Sequence, residues 1–133
     1  MEQLTADDWT PYGPSFYKAG VSSVTWDEAR TGCPQMHHRA YLASVHSDGE
    51  QQFLANQFAK PYGVVWIGLN DIKDEGHFTW INGDAVNFTY WSHGQPDDQG
   101  AVQDCTVIKP DYSYMWDDDT CKASFMFVCK IDP

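Results

Sequence analysis

The sequence is poor in basic residues, with 8 Lys and Arg against 19 Asp and Glu and a formal net charge of -11. That balance excludes a phosphate-neutralising nucleic-acid binder and disfavours anionic membrane surfaces. No apolar run approaches the roughly 20 residues of a membrane-spanning helix, so membrane insertion is not expected. There is no Cys-x-x-Cys pair, which argues against structural zinc. No nucleophile motif or catalytic metal triad stands out, so an enzyme is not expected. His37-His38 beside Arg39 reads as the end of a helix. Residues 1–8 lack a basic n-region and an apolar h-region, and so do not read as a signal peptide. No repeat or linker divides the chain, and its 133 residues are expected to form one domain over 1–133 with a sizeable core.

What is present is more specific. Six Trp, seven Tyr and seven Phe supply apolar area to bury and argue against disorder. Cys33, Cys105, Cys121 and Cys129 are most simply two disulfides of an oxidising compartment, with three connectivities open. Asn87-Phe88-Thr89 is a glycosylation sequon. Thr25 with Glu28, and Ser47 with Glu50, are capping-box patterns opening helices to about Met36 and Lys60. Phe53, Leu54, Gln57 and Phe58 give the second helix its core-facing stripe. Val64–Leu69 is a continuous apolar run of buried-strand length. Further strands are expected at Phe78–Ile81, Val86–Trp91, Cys105–Lys109, Tyr114–Trp116 and Phe125–Lys130. Ser92–Gln103 has no periodicity and reads as a long loop of the kind that usually carries function.

Between Asp97 and Asp119 lie seven Asp residues and a single base, Lys109. Two carboxylates about 4 Å apart repel by roughly 1 kcal/mol in water and about 4 kcal/mol near a protein surface. A hard cation removes that repulsion, and oxygen ligands of this kind suit calcium. Asp71 and Glu75, four apart in a polar stretch, taken alone are ordinary surface acids.

Trp66-Ile67-Gly68-Leu69, Gln95-Pro96-Asp97, Trp116-Asp117-Asp118 and the order of the four cysteines together resemble the C-type lectin domain, over nearly the whole chain. The resemblance implies an α+β fold of two helices with mixed, mainly antiparallel sheets and a long calcium-binding loop. It implies disulfides Cys33–Cys129 and Cys105–Cys121. Phe16 stands where longer family members carry a further cysteine. It implies a sugar-site calcium held by Gln95, Asp97, Gln103, Asp117 and Asp118, with a cis bond before Pro96, and a second calcium held by Asp71, Glu75, Asp98 and Asp104. The ligands of the first ion also hydrogen-bond two neighbouring sugar hydroxyls. An aromatic ring commonly stacks on the sugar, and Tyr112 or Tyr114 could supply it, since Gln99 rather than Trp follows Asp98.

Gln-Pro-Asp is the galactose-type pattern of this family. The expectation is a secreted, calcium-dependent lectin for galactose or N-acetylgalactosamine glycans, acting in innate defence, with oligomerisation possible. The alternatives are mannose-type sugars or a non-sugar ligand such as protein, ice or mineral. Gln103 and Asp117 replace the usual Glu and Asn. The exchange conserves formal charge but inverts a second donor–acceptor pair, which is expected to weaken discrimination between galactose and mannose.

Overall fold

The computed structural model describes residues 9–74, 76–92 and 104–133. The chain enters through β1 (Thr10–Tyr12) and β2 (Ser15–Val24), paired antiparallel. It then forms α1 (Trp26–Met36), the short β3 (Tyr41–Leu42) and α2 (Asp48–Leu54). A π-helical turn, Ala55–Ala59, carries α2 into α3 (Lys60–Tyr62), and Gly63 breaks it at φ 87°. Strands β4 (Val65–Asn70), β5 (Thr79–Trp80), β6 (Cys105–Lys109), β7 (Met115–Asp119) and β8 (Phe125–Ile131) complete the fold. The sheet order is β1-β2-β8-β4-β6-β7, with β3 on β8 and β5 on β4. All pairings are antiparallel except β4 with β8. This is the expected α+β architecture.

Local chemistry accounts for the helix starts. Thr25 accepts from the Glu28 amide while the Glu28 side chain accepts from the Thr25 amide, a complete capping box. At the second start only half of the expected box forms. Ser47 Oγ accepts from the Glu50 amide at 3.1 Å, but the Glu50 side chain turns into the core. There Glu50 Oε1 accepts from the His46 amide at 2.8 Å, and Oε2 meets Lys130 Nζ at 2.6 Å and accepts from the Tyr17 hydroxyl. Lys130 also donates to Ser44 O at 3.2 Å and Ser44 Oγ at 3.1 Å. A buried ion pair at the junction of β2, α2 and β8 therefore replaces the second half of the box.

Every residue of β4 is buried. At Gly68 the backbone of the segment after β3 crosses so closely that a Cβ would lie 2.6 Å from Leu42 O. The crossing is hydrogen-bonded, Gly68 N to Ala43 O at 2.9 Å and Ile81 N to Gly68 O at 3.0 Å. Trp26 Nε1 donates to Ile67 O and Trp66 Nε1 to Val24 O, both at 2.9 Å, so the two indoles lock α1 and β2 to the central strand. The Cys33–Cys129 disulfide ties α1 to β8, and Cys105–Cys121 ties the start of β6 to the turn after β7.

Two strand expectations are revised. Strand β7 runs on through Asp117, Asp118 and Asp119, because each pairs with β6 at Val107, Thr106 and Cys105. The low strand propensity of Asp is overridden by the ladder. Conversely, 86–90 is not in a strand, and only Trp91 makes a bridge, to Trp116.

Tyr17 and Tyr41 hold their phenol protons above the ordinary value of 10.0, chiefly through burial and then through hydrogen bonds to Glu50 and Asp132 respectively. Below that value folded and unfolded chains are both protonated, and above it only the unfolded chain ionises. Stability should therefore fall as pH rises beyond about 10. Tyrosinate absorbance from these two rings should appear only together with unfolding, followed by near-ultraviolet circular dichroism in the same titration.

Candidate functional site

The site is built at one end of three neighbouring strands. Asn70, the last residue of β4, pairs with Cys105, the first of β6, which pairs with Asp119, the last of β7. Asp71 and Asp104 extend β4 and β6 by one residue at that end and are joined by Asp71 N donating to Asp104 O at 3.0 Å. Along β7, Asp118 is the penultimate residue and pairs with Thr106, and Asp117 is the middle residue and pairs with Val107.

Trp116 fixes this strand. Its indole is fully buried, donates to Gln51 Oε1 at 2.7 Å, and meets Trp80, Trp91 and Phe88 edge-on. Gln51 Nε2 in turn donates to Tyr114 O at 2.7 Å. The neighbouring carboxylates are thus held by a rigid aromatic cluster. Gln51 was not legible as a positioning residue, because it lies beside the apolar stripe rather than in it.

Asp118 is 0 % exposed, Asp71 1 % and Asp117 7 %. Carboxylates are seldom buried unless paired or metal-bound. Asp71 Oδ2 accepts from the Gly76 amide at 2.8 Å, whereas its buried Oδ1 has no hydrogen-bond partner among the described residues. The Thr106 hydroxyl opposite Asp118 is also buried without one. Lys109 Nζ lies 3.5 Å from Asp117 Oδ2 and 4.6 Å from the centre of the Tyr112 ring. The sequence marks Lys109 only as the lone base among the acids, and the β6–β7 ladder gives it a partner.

The structure sets Asp71 beside Asp104 and places Asp117 and Asp118 in the neighbouring part of the same sheet. Tyr114 immediately precedes β7, with φ 63°, its amide donating to Lys109 O and its half-buried ring packed on the core. Glu75, Gln95, Asp97, Asp98 and Gln103 lie outside the described residues, as do Pro96 and Gln99. Among the described residues no three His, Cys, Asp or Glu side chains form a metal cage. The donors that are described are all oxygens, and a buried carboxylate oxygen without a partner fits a hard cation.

The Lectin C-type domain family matches residues 22–131. Lectin BRA-3 of Megabalanus rosa is 40% identical over 93% of this chain and 75% of its own length. The alpha-N-acetylgalactosamine-specific lectin of Patiria pectinifera is 34% identical over 92% of this chain and 77% of its own. Among solved structures, the C-type lectin CEL-I of Cucumaria echinata superposes with TM-score 0.87 at 30% identity, over 94% of this chain and 95% of that one. A calcium-independent type II antifreeze protein superposes with TM-score 0.86 at 29% identity, over 95% and 92%. The family and the lectin relatives are binding proteins. Family match, fold and paired cysteines agree, and the chain belongs to the C-type lectin domain family as a carbohydrate-binding domain.

Proposed function

We propose that residues 1–133 form one secreted, calcium-dependent carbohydrate-recognition domain for galactose-type glycans. The observation that carries the reading is the burial of Asp71, Asp117 and Asp118 on one sheet, with Asp71 Oδ1 left without a hydrogen-bond partner among the described residues. In this reading Gln95, Asp97, Gln103, Asp117 and Asp118 hold the sugar-site calcium, and Asp71, Glu75, Asp98 and Asp104 hold a second. When bound, the first ion supplies coordination sites for two neighbouring sugar hydroxyls. The side chains set the direction of recognition: the carboxylates of Asp97, Asp117 and Asp118 accept from hydroxyls, and the amides of Gln95 and Gln103 donate to them. The Gln-Pro-Asp order and the N-acetylgalactosamine specificity of the Patiria relative support a galactose-type ligand.

The test is retention on immobilised galactose and on mannose, each in calcium and then in chelator. Retention on galactose above that on mannose, both lost in chelator, is the expected result. Retention on galactose alone would show that the inverted Gln103/Asp117 pair is silent, and retention in chelator would refute the calcium mechanism. Calcium should also stabilise the fold by about 2.7 kcal/mol at a hundred times its dissociation constant, read as a rise in melting temperature. A second reading, a calcium-independent binder of a non-sugar ligand, is favoured by the antifreeze neighbour, which shares the fold as closely as CEL-I does. Failure on both resins would put it first.

A further inference from the structure

We infer that Asn87 is an N-glycosylation site, so that the domain carries a glycan of its own. Asn87-Phe88-Thr89 is the only Asn-x-Ser/Thr triplet of the chain. A triplet alone is weak, and three structural observations strengthen it. First, Asn87 and Thr89 are both exposed, and 82–90 makes no strand ladder, while half-buried Phe88 anchors the segment against Trp116. A bulky substituent at Asn87 therefore displaces no β pairing. Second, the Asn87 side chain rests against a surface imidazole rather than in the core: its amide lies 2.9 Å from His46 Nδ1, and His46 Nε2 lies 2.8 Å from Asp84 Oδ2. Glycans are attached before folding is complete, so the folded chain has only to leave space at Asn87, and an exposed residue outside the sheet does so. Third, all four cysteines are paired in disulfides, which places folding in an oxidising compartment, where the transferase also works.

The chemistry is a group transfer from a polyprenyl-diphosphate-linked oligosaccharide. A bond forms between Asn87 Nδ2 and the anomeric carbon of the first sugar. The bond from that carbon to the diphosphate oxygen breaks, the lipid diphosphate leaves with the electron pair, and Nδ2 gives up one proton. The product is a bulky, solubilising surface group.

The full chain secreted from insect cells should show a glycan-bearing intact mass that peptide N-glycosidase F removes, converting Asn87 to Asp in the peptide that contains it. Asn87→Gln and Thr89→Ala should abolish the modification, and Thr89→Ser should keep it. An unmodified mass for the secreted, disulfide-bonded chain would overturn the inference, as would a glycan that survives Asn87→Gln. The result is independent of the sugar site. A glycosylated chain that fails on galactose refutes the lectin specificity alone, and an unmodified chain that binds galactose refutes this site alone.

Discussion

Asp118→Asn should abolish calcium-dependent retention on galactose while leaving the chelated protein folded. The substitution keeps the shape of a fully buried side chain and removes its charge. A neutral amide presents one acceptor oxygen where the carboxylate presented two. Both the ion and one sugar hydroxyl lose their partner together. The weakening should exceed about a hundredfold, or roughly 2.7 kcal/mol, measured by calorimetry with free galactose in calcium. The melting temperature in chelator should change little, because Trp116 and the β6 ladder hold β7 without the ion. Undiminished galactose binding by this variant would show that β7 does not carry the sugar site.

The second large effect concerns stability alone. Glu50→Ala takes the nearer counter-ion, at 2.6 Å, from the Lys130 ammonium, 4 % exposed, and leaves only Asp132 Oδ1 at 3.8 Å. It also removes the acceptor of the Tyr17 hydroxyl and of the His46 amide. Breaking one half of a buried pair costs about 3–5 kcal/mol, enough to lower the melting temperature by on the order of 10–20 °C. Urea unfolding should show a lower midpoint with an unchanged slope. Adding Lys130→Met should recover much of the loss, because the stranded charge goes with it. A double variant no more stable than the single one would mean that hydrogen bonding to Ser44 and the pairing with Asp132, rather than the lost Glu50 charge, dominate this corner.

These two sites also mark how much of the fold is legible in the sequence. The Trp66–Leu69 run, the two helix starts and the strand at Cys105–Lys109 were legible because each rests on local periodicity or capping. Glu50 looked like a cap residue because its true partner, Lys130, is distant in sequence and only the fold brings them together. The sequence predicts a strand that ends at Trp116, since three consecutive Asp residues oppose strand propensity. The ladder to β6 supplies what propensity withholds. The turn before β7, with two left-handed residues, Ser113 and Tyr114, has no glycine or asparagine to announce it. Asp71 alone looked like a surface acid. Its burial follows from its place one residue beyond a fully buried strand, a position that periodicity does not encode.

Both ends of segment 93–103 are moored to the frame. Ser92 N donates to Trp116 O at 3.0 Å, and Asp104 O accepts from Asp71 N at 3.0 Å just before the Cys105–Cys121 bridge. The span between two such moorings is a cassette whose contents can be exchanged cheaply. The entropy of closing it changes only logarithmically with length, about 0.6 kcal/mol for each doubling. Of the proposed ligands, Asp71, Asp104, Asp117 and Asp118 belong to the frame, and Gln95, Asp97, Asp98 and Gln103 fall within the cassette. Ligand preference can therefore drift, or be engineered, at Gln95, Asp97 and Gln103 while Trp116 and the sheet keep the fold at constant stability.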